Sequence, residues 1–312
     1  MDVILHIGAH RTGTTTFQRF MQANRAHLRG QGIGYWGPGK TRAGLFRGLM
    51  RAPHRITPED EHLAARTRGR IALQVTDLEA EGTHTLIVSE ENMLGGMWAN
   101  VEAARLYSDA GERLARIATA FSPHPVRVGL AIRSYDRHWA SQLAHSVKRG
   151  QGLPDAGALE AIATQPVRWT RIIRQVAAAF PQAEVVVWPF EALIGLPELQ
   201  LGALFGQAIQ GPFQARREWH NSSLSVQDLR KLIHDEGVPD AALARMGNGV
   251  GRWHPFTNTQ TALMRAAYAQ DLAWLRGGAD GLATYIDSPE AIAGATGPRR
   301  GQHDDERQKR MG

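Results

Sequence analysis

The sequence alternates short, nearly continuous apolar segments with longer amphipathic ones, and few folds suit such a pattern. Runs of aliphatic residues are typical of strands that are buried on both faces of a parallel sheet, and amphipathic helices usually cover such a sheet. Four segments predict strands, namely Val3–Gly8, Thr85–Ser89, Val126–Ile132 and Glu184–Trp188. The pattern predicts a doubly wound α/β fold, in which a central parallel sheet lies between two layers of helices.

Helical periodicity occupies the segments between these strands and most of the chain after about residue 223. The best helical candidates are 58–81, 135–149, 168–180, 224–234 and 259–275. We expect residues 1–293 to form a single domain with a helical C-terminal part. Residues 294–312 lack apolar periodicity, which predicts a disordered tail.

Composition narrows the functional classes. The 312 residues are 43% hydrophobic and 21% charged, as in ordinary globular proteins. The absence of cysteine excludes disulfides, thiolate nucleophiles and zinc sites with sulfur ligands. No segment has the roughly 18 apolar residues of a membrane helix and no signal peptide is evident, so we expect a cytoplasmic protein. The formal net charge of +6 favours a polyanionic partner, such as a nucleotide with several phosphates or an anionic sugar.

Glycines, hydroxyl groups and one cation lie together directly after the first predicted strand, in Gly8-Ala9-His10-Arg11-Thr12-Gly13-Thr14-Thr15. Where such a turn leads into a helix, backbone N–H groups and the positive end of the helix dipole create an anion site. The nucleotide-binding loop Gly-x-x-x-x-Gly-Lys-(Ser/Thr) has the same two glycines, but Thr14 stands where that motif has Lys. The segment predicts a phosphate-binding loop that lacks the usual lysine.

Arg11-Thr12-Gly13-Thr14-Thr15 resembles the 5′-phosphosulfate loop of the sulfotransferases that use 3′-phosphoadenosine 5′-phosphosulfate. That loop reads Lys-(Ser/Thr)-Gly-Thr-(Thr/Ser), and bacterial members often begin with His-x-Gly-x-His-Lys-Thr-Gly-Thr-Thr. The resemblance implies that Thr12, Gly13, Thr14 and Thr15 bind the 5′-phosphosulfate. It also implies that Arg11, in place of the family's lysine, stabilises charge on the leaving phosphate. Arginine binds phosphate bidentately but is bulkier than lysine, and this chain uses arginine almost everywhere, with four lysines among its 36 basic residues.

Two further segments are similar to parts of the same family. Arg133 ends the third predicted strand and Ser141 follows eight residues later, which is the family's spacing for the pair that binds the 3′-phosphate of the cofactor. A guanidinium at a strand end and a hydroxyl two helical turns further on can converge on one phosphate. Gly249–Trp253 faintly resembles the loop that closes over the cofactor, which implies a contact from Arg252.

Ser89-Glu90-Glu91-Asn92, after the second predicted strand, resembles a Ser-x-Glu-Asn segment of bacterial members. Sulfuryl transfer to an alcohol needs a base within hydrogen-bond reach of the hydroxyl. We therefore predict Glu91 as the catalytic base. Glu90 is the competing candidate, because adjacent residues leaving a strand point in opposite directions.

The resemblance implies sulfuryl transfer from 3′-phosphoadenosine 5′-phosphosulfate to a hydroxyl of a carbohydrate or small-molecule acceptor. The products are the sulfated acceptor and 3′,5′-ADP, and no metal is expected because no histidine pair has a third acidic ligand at a recognisable spacing. No alternation of basic and aromatic residues predicts a nucleic-acid surface. Two alternatives stay open: a P-loop kinase that uses ATP and Mg²⁺, and a catalytically inactive homologue that binds the nucleotide.

Overall fold

A computed structural model describes residues 1–216, 218, 224–235, 243, 246 and 249–294. The predicted tail at 294–312 lies outside the described residues apart from Gly294. The described part contains a six-stranded, all-parallel sheet with the strand order β2-β3-β1-β4-β5-β6. The strands are β1 (Asp2–His6), β2 (Ile33–Trp36), β3 (Thr85–Ser89), β4 (Pro125–Ile132), β5 (Glu184–Pro189) and β6 (Thr284–Tyr285).

Helices connect the strands. The α-helices are α1 (Thr14–Ala23), α2 (Arg25–Gly30), α3 (Pro38–Lys40), α4 (Pro58–Ala80), α5 (Met97–Glu102), α6 (Ala110–Phe121), α7 (Tyr135–Lys148), α8 (Ala156–Thr164), α9 (Trp169–Ala179), α10 (Phe190–Leu193), α11 (Pro197–Phe205), α12 (Val226–Asp235), α13 (Asn258–Arg276) and α14 (Pro289–Gly294). A π-helical turn spans Thr41–Leu45, and 3₁₀ turns span Pro53–Arg55, Glu91–Met93 and Ala279–Gly281. None of the described helices is long and apolar enough to cross a membrane.

Two hydrophobic clusters fill the space between the sheet and its helices. Because side chains alternate along a strand, Val3 and Leu5 enter one cluster while Ile4 enters the other. The first cluster takes in residues of α4, α6, α7, α9 and α13, and the second takes in residues of α1 and α11. Helices therefore cover both faces of the sheet, and the predicted α/β fold with a central parallel sheet in three layers is confirmed.

The structure adds two strands that the sequence pattern did not predict. β2 contains a glycine and two aromatic residues in place of an aliphatic run, and β6 has only two residues at the sheet edge. The first strand ends at His6, two residues earlier than predicted, because the chain turns at Gly8, which has a φ of +32°. The predicted helices and the remaining strands agree with the structure to within two residues at each end.

β1 lies at the centre of the sheet, between β3 and β4. From β1 the chain runs to β2 at one edge, returns to β3, and then crosses β1 to reach β4. The chain thus builds the sheet first on one side of β1 and then on the other. In sheets of this type ligands bind at the carboxyl ends of the strands where the direction changes. The predicted phosphate loop, the Glu90–Asn92 segment and Arg133 follow β1, β3 and β4. They therefore lie together at the carboxyl ends of these neighbouring strands.

Candidate functional site

Three residues in the loop between β1 and α1 have a left-handed backbone conformation. Gly8, Arg11 and Gly13 have φ values of +32°, +64° and +82°. A side-chain Cβ at Gly8 would lie 2.7 Å from Thr14 Oγ1, so glycine is required there for both conformation and space. Gly13 is the N-cap of α1 and has no side chain that could cover the first turn. The positive end of the α1 dipole therefore faces the loop.

The hydroxyl groups of Thr12 and Thr14 point toward the loop backbone. Both donate hydrogen bonds to the Ala9 carbonyl, at 2.6 Å from Thr12 Oγ1 and 3.2 Å from Thr14 Oγ1. Both threonines are buried. These bonds brace the loop, so Thr12 contributes its side chain to the shape of the anion site, whereas Thr14 also lines the cavity beside it.

Arg11, Arg133 and Ser141 meet above this loop although they are far apart in the sequence. Arg11 Nε donates to Ser141 Oγ at 2.9 Å, and Arg133 Nη1 donates to the Arg11 carbonyl at 2.7 Å. The Arg133 guanidinium also lies over the ring of Phe190, 4.5 Å from its centroid. The residues predicted for the 5′-phosphosulfate and for the 3′-phosphate are thus parts of one hydrogen-bonded unit.

A cavity of about 470 Å³ opens over this unit. Among the predicted site residues it is lined by Arg11, Gly13, Thr14, Thr15, Glu91, Arg133, Ser141 and Arg252. Thr12 is the predicted residue that does not line it. Arg42 and Arg149 also face the cavity, and Glu91 is the one carboxylate among its described lining residues. The cavity therefore carries a strong positive charge that favours an anionic ligand.

Burial and mutual repulsion show in the pKa values of these arginines. Burial is the main cause that lowers the pKa of Arg133 to about 10; the charge of Glu191, the second-largest effect, raises it, and the charges of Arg252 and Arg11 lower it again. Burial followed by the Arg252 charge lowers the pKa of Arg11. Both groups stay charged at neutral pH. Arg133 Nε is buried without a hydrogen-bond partner among the described residues.

Glu90 and Glu91 occupy different environments. Glu90 is buried, and its carboxylate accepts hydrogen bonds from Thr41 Oγ1 at 2.6 Å, from Arg42 Nη2 at 2.7 Å and from Asn92 Nδ2 at 2.8 Å. Arg42 Nε approaches both carboxylate oxygens, at 3.0 and 3.2 Å. With these partners, Glu90 is a structural anchor of the strand end and does not line the cavity over the phosphate loop.

Glu91 faces that cavity. Its two oxygens accept hydrogen bonds from Gln18 Nε2 and Arg42 Nη2, each at 2.8 Å. Burial acts to raise the pKa of Glu91, but the proximity of His10 and Arg42 outweighs burial, and the net pKa lies below its usual value. Glu91 is therefore an ionised carboxylate at neutral pH, and of the two predicted candidates it is the one whose position suits a base.

His10 also lines the cavity and belongs to a hydrogen-bond chain that fixes its tautomer. Asn92 Nδ2 donates to Glu90, which turns Asn92 Oδ1 toward His10 Nε2 at 3.2 Å. The Tyr107 hydroxyl accepts from the His10 backbone N–H at 2.8 Å and lies 3.0 Å from Nδ1. This pattern assigns the proton to Nε2 and leaves Nδ1 as an acceptor. Burial lowers the pKa of His10, so the ring is neutral at neutral pH.

Sequence reasoning assigned no role to His145, Arg149 and Arg42, which also line the cavity. His145 and Arg149 follow the predicted Ser141 at intervals of four residues, on one side of α7 and at its C-terminal end. That spacing was a signal in the sequence. Burial, and then the charges of Arg11 and Arg149, lower the pKa of His145 to about 4. Arg42 comes from the π-helical turn after α3, and no motif marks it.

The aromatic residues divide between core and site. Trp36, Trp139, Trp169 and Trp253 are buried, whereas Trp98 is exposed and stands at the rim of the cavity. The part of the chain that the structure describes contains no group of three or more histidine, aspartate or glutamate side chains that could hold a metal ion.

Comparisons with protein-family models, with curated proteins and with solved structures find no match to this chain.

Proposed function

We propose that the protein transfers a sulfuryl group from 3′-phosphoadenosine 5′-phosphosulfate to a hydroxyl of a carbohydrate or another small-molecule acceptor. The proposal includes a P-loop-like identity for the fold, which is supported by the glycine loop between the central β1 and α1. The observation that carries it is the hydrogen-bonded unit of Arg11, Arg133 and Ser141. Two sets of residues predicted to bind phosphate, separated by about 120 residues in sequence, thus line one positively charged cavity.

The residues present fit such a donor. Thr14, Thr15 and the N-terminus of α1 line the part of the cavity that would hold the 5′-phosphosulfate, with Arg11 beside them. Arg133 and Ser141 would hold the 3′-phosphate, since both line the cavity and both are hydrogen-bonded to Arg11. The volume of about 470 Å³ lies within the roughly 300–1,000 Å³ of small-molecule sites.

When bound, this donor supplies a sulfuryl group whose S–O bond to the phosphate breaks as the acceptor oxygen bonds to sulfur, and the phosphate oxygen keeps the electron pair. Glu91 accepts the proton of the acceptor hydroxyl, for which its ionised state at neutral pH is suited. Arg11 neutralises the charge that develops on the departing phosphate. Arg42 and Gln18 hold the Glu91 carboxylate in place through one hydrogen bond each.

The kinase alternative has less support. In that motif a lysine at the position of Thr14 contacts the β- and γ-phosphates, and here a buried threonine donates its hydroxyl to the Ala9 carbonyl. The catalytically inactive alternative rests on Arg11 in place of lysine. Glu91, which faces the same cavity as Arg11, supports turnover over binding alone.

The first experiment is thermal stabilisation by 3′,5′-ADP, by ADP, and by ATP with Mg²⁺. A ligand that binds only the folded state at 100 times its Kd stabilises it by about 2.7 kcal/mol. We expect a clear rise in Tm with 3′,5′-ADP and a much smaller one with ADP, because Arg133 and Ser141 recognise the additional phosphate. A rise confined to ATP with Mg²⁺ would instead support the kinase.

Turnover is tested with donor that carries ³⁵S in its sulfuryl group, over a panel of neutral and anionic oligosaccharides. We expect labelled product with the unmodified protein and none with Glu91→Gln. Stabilisation by 3′,5′-ADP without any labelled product would support the inactive homologue.

A further inference from the structure

A second cavity, of about 770 Å³, adjoins the site and begins at two of its residues. Thr15 lines both cavities. Gln18 lines the second one and donates through Nε2 to Glu91 at 2.8 Å. We call this second cavity the basic groove. A molecule lying in it would be next to Gln18, whose amide contacts the Glu91 carboxylate.

The basic groove has four cationic lining residues, Arg19, Arg25, Lys40 and Arg70, and no carboxylate among the residues described as lining it. None of the four forms an ion pair with a described carboxylate. Lys40 Nζ lies over the Trp36 ring, 4.3 Å from its centroid, and Arg70 Nη2 donates to the Gly44 carbonyl at 3.1 Å. The one described carboxylate whose charge acts on Lys40 is Glu81, which lies outside the groove and has a smaller effect than Arg25, so the groove keeps a net positive charge.

A third cavity, which Arg42 also lines, differs from the basic groove in its charge. It also has arginines, but Glu59, Asp60 and Glu90 line it with them. Arg51 pairs with Asp60 at 3.4 Å, and Arg42 pairs with Glu90 at 2.7 Å. Three carboxylates there offset all but one of four arginines, whereas the basic groove has four cations and no carboxylate among its described lining residues.

Two observations describe what the groove accepts. Burial, and then the nearby charge of Arg25, lower the pKa of Lys40, which shows that these cations repel one another. The groove also presents neutral hydrogen-bonding groups, the side-chain amides of Gln18, Gln22 and Gln74. A ligand with anionic groups would satisfy the cations, and its hydroxyl groups would satisfy the amides of Gln18, Gln22 and Gln74.

We propose that the basic groove binds the acceptor, and that the acceptor is a sugar chain carrying carboxylate or sulfate groups. This inference rests on the proposed function, because it assigns the acceptor side of the same site. Among the residues described as lining the groove, Tyr35 is the only one with an aromatic ring that could stack on a nucleobase, and it is buried. That composition favours an anionic sugar over a nucleic acid.

The test measures, by calorimetry, the binding of hexasaccharides prepared from heparin, alginate and dextran. An oligo(dT) with a charge similar to that of the anionic hexasaccharides serves as the comparison. We expect the heparin and alginate fragments to bind and the neutral dextran fragment not to bind. Raising the salt from 0.1 M to 1 M shortens the Debye length from about 10 Å to about 3 Å and should weaken binding at least tenfold.

The variant Arg19→Gln/Arg25→Gln should weaken binding of the anionic fragments about tenfold, at about threefold for each cation. Arg171→Gln is the matched control, because Arg171 is an exposed arginine of α9, on the other face of the sheet. Equal binding of dextran, tighter binding of oligo(dT), or an equal loss with Arg171→Gln would each overturn the inference.

Stabilisation by 3′,5′-ADP, measured on the same variants, separates the two proposals. If 3′,5′-ADP stabilises all variants equally while the anionic fragments fail to bind, the acceptor assignment is wrong and the proposed function stands. If 3′,5′-ADP does not stabilise the unmodified protein, the proposed function fails. The assignment of the groove as an acceptor site then fails as well, even if sugars bind to it.

Discussion

Replacing each of the two adjacent glutamates by glutamine should have opposite consequences. Glu90→Gln should destabilise the fold, because Glu90 is buried and anchors Thr41, Arg42 and Asn92. Glu91→Gln should leave the fold largely intact and abolish transfer. The difference follows from burial and partner number, since the two side chains have the same chemistry.

The magnitudes follow from these contacts. In Glu90→Gln the ion pair is lost, and the new NH₂ group faces a donor of Arg42 whichever way the amide is turned. A hydrogen bond to a charged group is worth about 1.5–3 kcal/mol, so we expect a loss of about 3 kcal/mol and a Tm lower by about 5–10 °C. In Glu91→Gln one oxygen can still accept from Arg42, and Gln18 can turn its amide oxygen toward the new NH₂ group. We therefore expect a loss of about 1 kcal/mol or less.

The assay is differential scanning fluorimetry of both variants, with and without 3′,5′-ADP, followed by transfer of labelled sulfate. Glu91→Gln should keep the 3′,5′-ADP shift and lose at least about 100-fold in transfer, the usual contribution of a general base. The assignment would be refuted by Glu90→Gln leaving Tm unchanged, or by Glu91→Gln lowering Tm as much as Glu90→Gln or keeping full turnover.

Three further outcomes are expected. Arg133→Ala should weaken binding of 3′,5′-ADP about 10- to 100-fold more than binding of ADP in calorimetry, since Arg133 would form charge-assisted hydrogen bonds to the 3′-phosphate; equal losses would contradict this role. Gly8→Ala should lower stability by about 1–3 kcal/mol in urea unfolding, because its Cβ would lie 2.7 Å from Thr14 Oγ1 at a φ of +32°. Gly69→Ala, in open space within α4, should not destabilise and is the control. His6 is fully buried, and burial lowers its pKa from 6.5 to about 4. Between these values the unfolded chain binds the proton first, so stability should fall by about 3 kcal/mol as the pH falls from 6.5 to 4. A loss as large in His6→Gln over that range would contradict this assignment.

The sequence predicted the elements whose residues carry a local signal. β3 and β5 are unbroken aliphatic runs because both of their faces are buried. β2 is equally buried, but Gly34 and two aromatic residues break that pattern, and its place in the sheet depends on pairing with β3. Pairing between distant segments leaves no local trace in the sequence, which is why this strand was missed.

The residues of the candidate site likewise fall into those that the sequence predicted and those that it did not. Arg11, Arg133 and Ser141 were predicted because the segments that contain them, after the first and third strands, resemble motifs of the sulfotransferase family. Arg42 was not, because only tertiary packing brings the π-helical turn against Glu90 and Glu91. The sequence predicted Glu91 as the base with Glu90 as a competitor, and the backbone separates the two. Glu90 continues the extended strand geometry, with φ −155° and ψ 107°, and points into the protein, whereas the 3₁₀ turn begins with Glu91.

Arg252 connects the charge of the site to the stability of the protein without ligand. Its charge lowers the pKa of both Arg11 and Arg133, so these three cations repel one another across the cavity. A bound anion would relieve that repulsion, and removing one cation would relieve it as well. Because Arg252 is exposed, we expect Arg252→Gln to raise the Tm of the free protein by only about 1–2 °C, for roughly 0.5 kcal/mol. The same variant should show a smaller rise with 3′,5′-ADP, whereas Arg171→Gln should change neither value. A lower Tm of the free protein, or an unchanged rise with 3′,5′-ADP, would mean that Arg252 does not share the charge of the site.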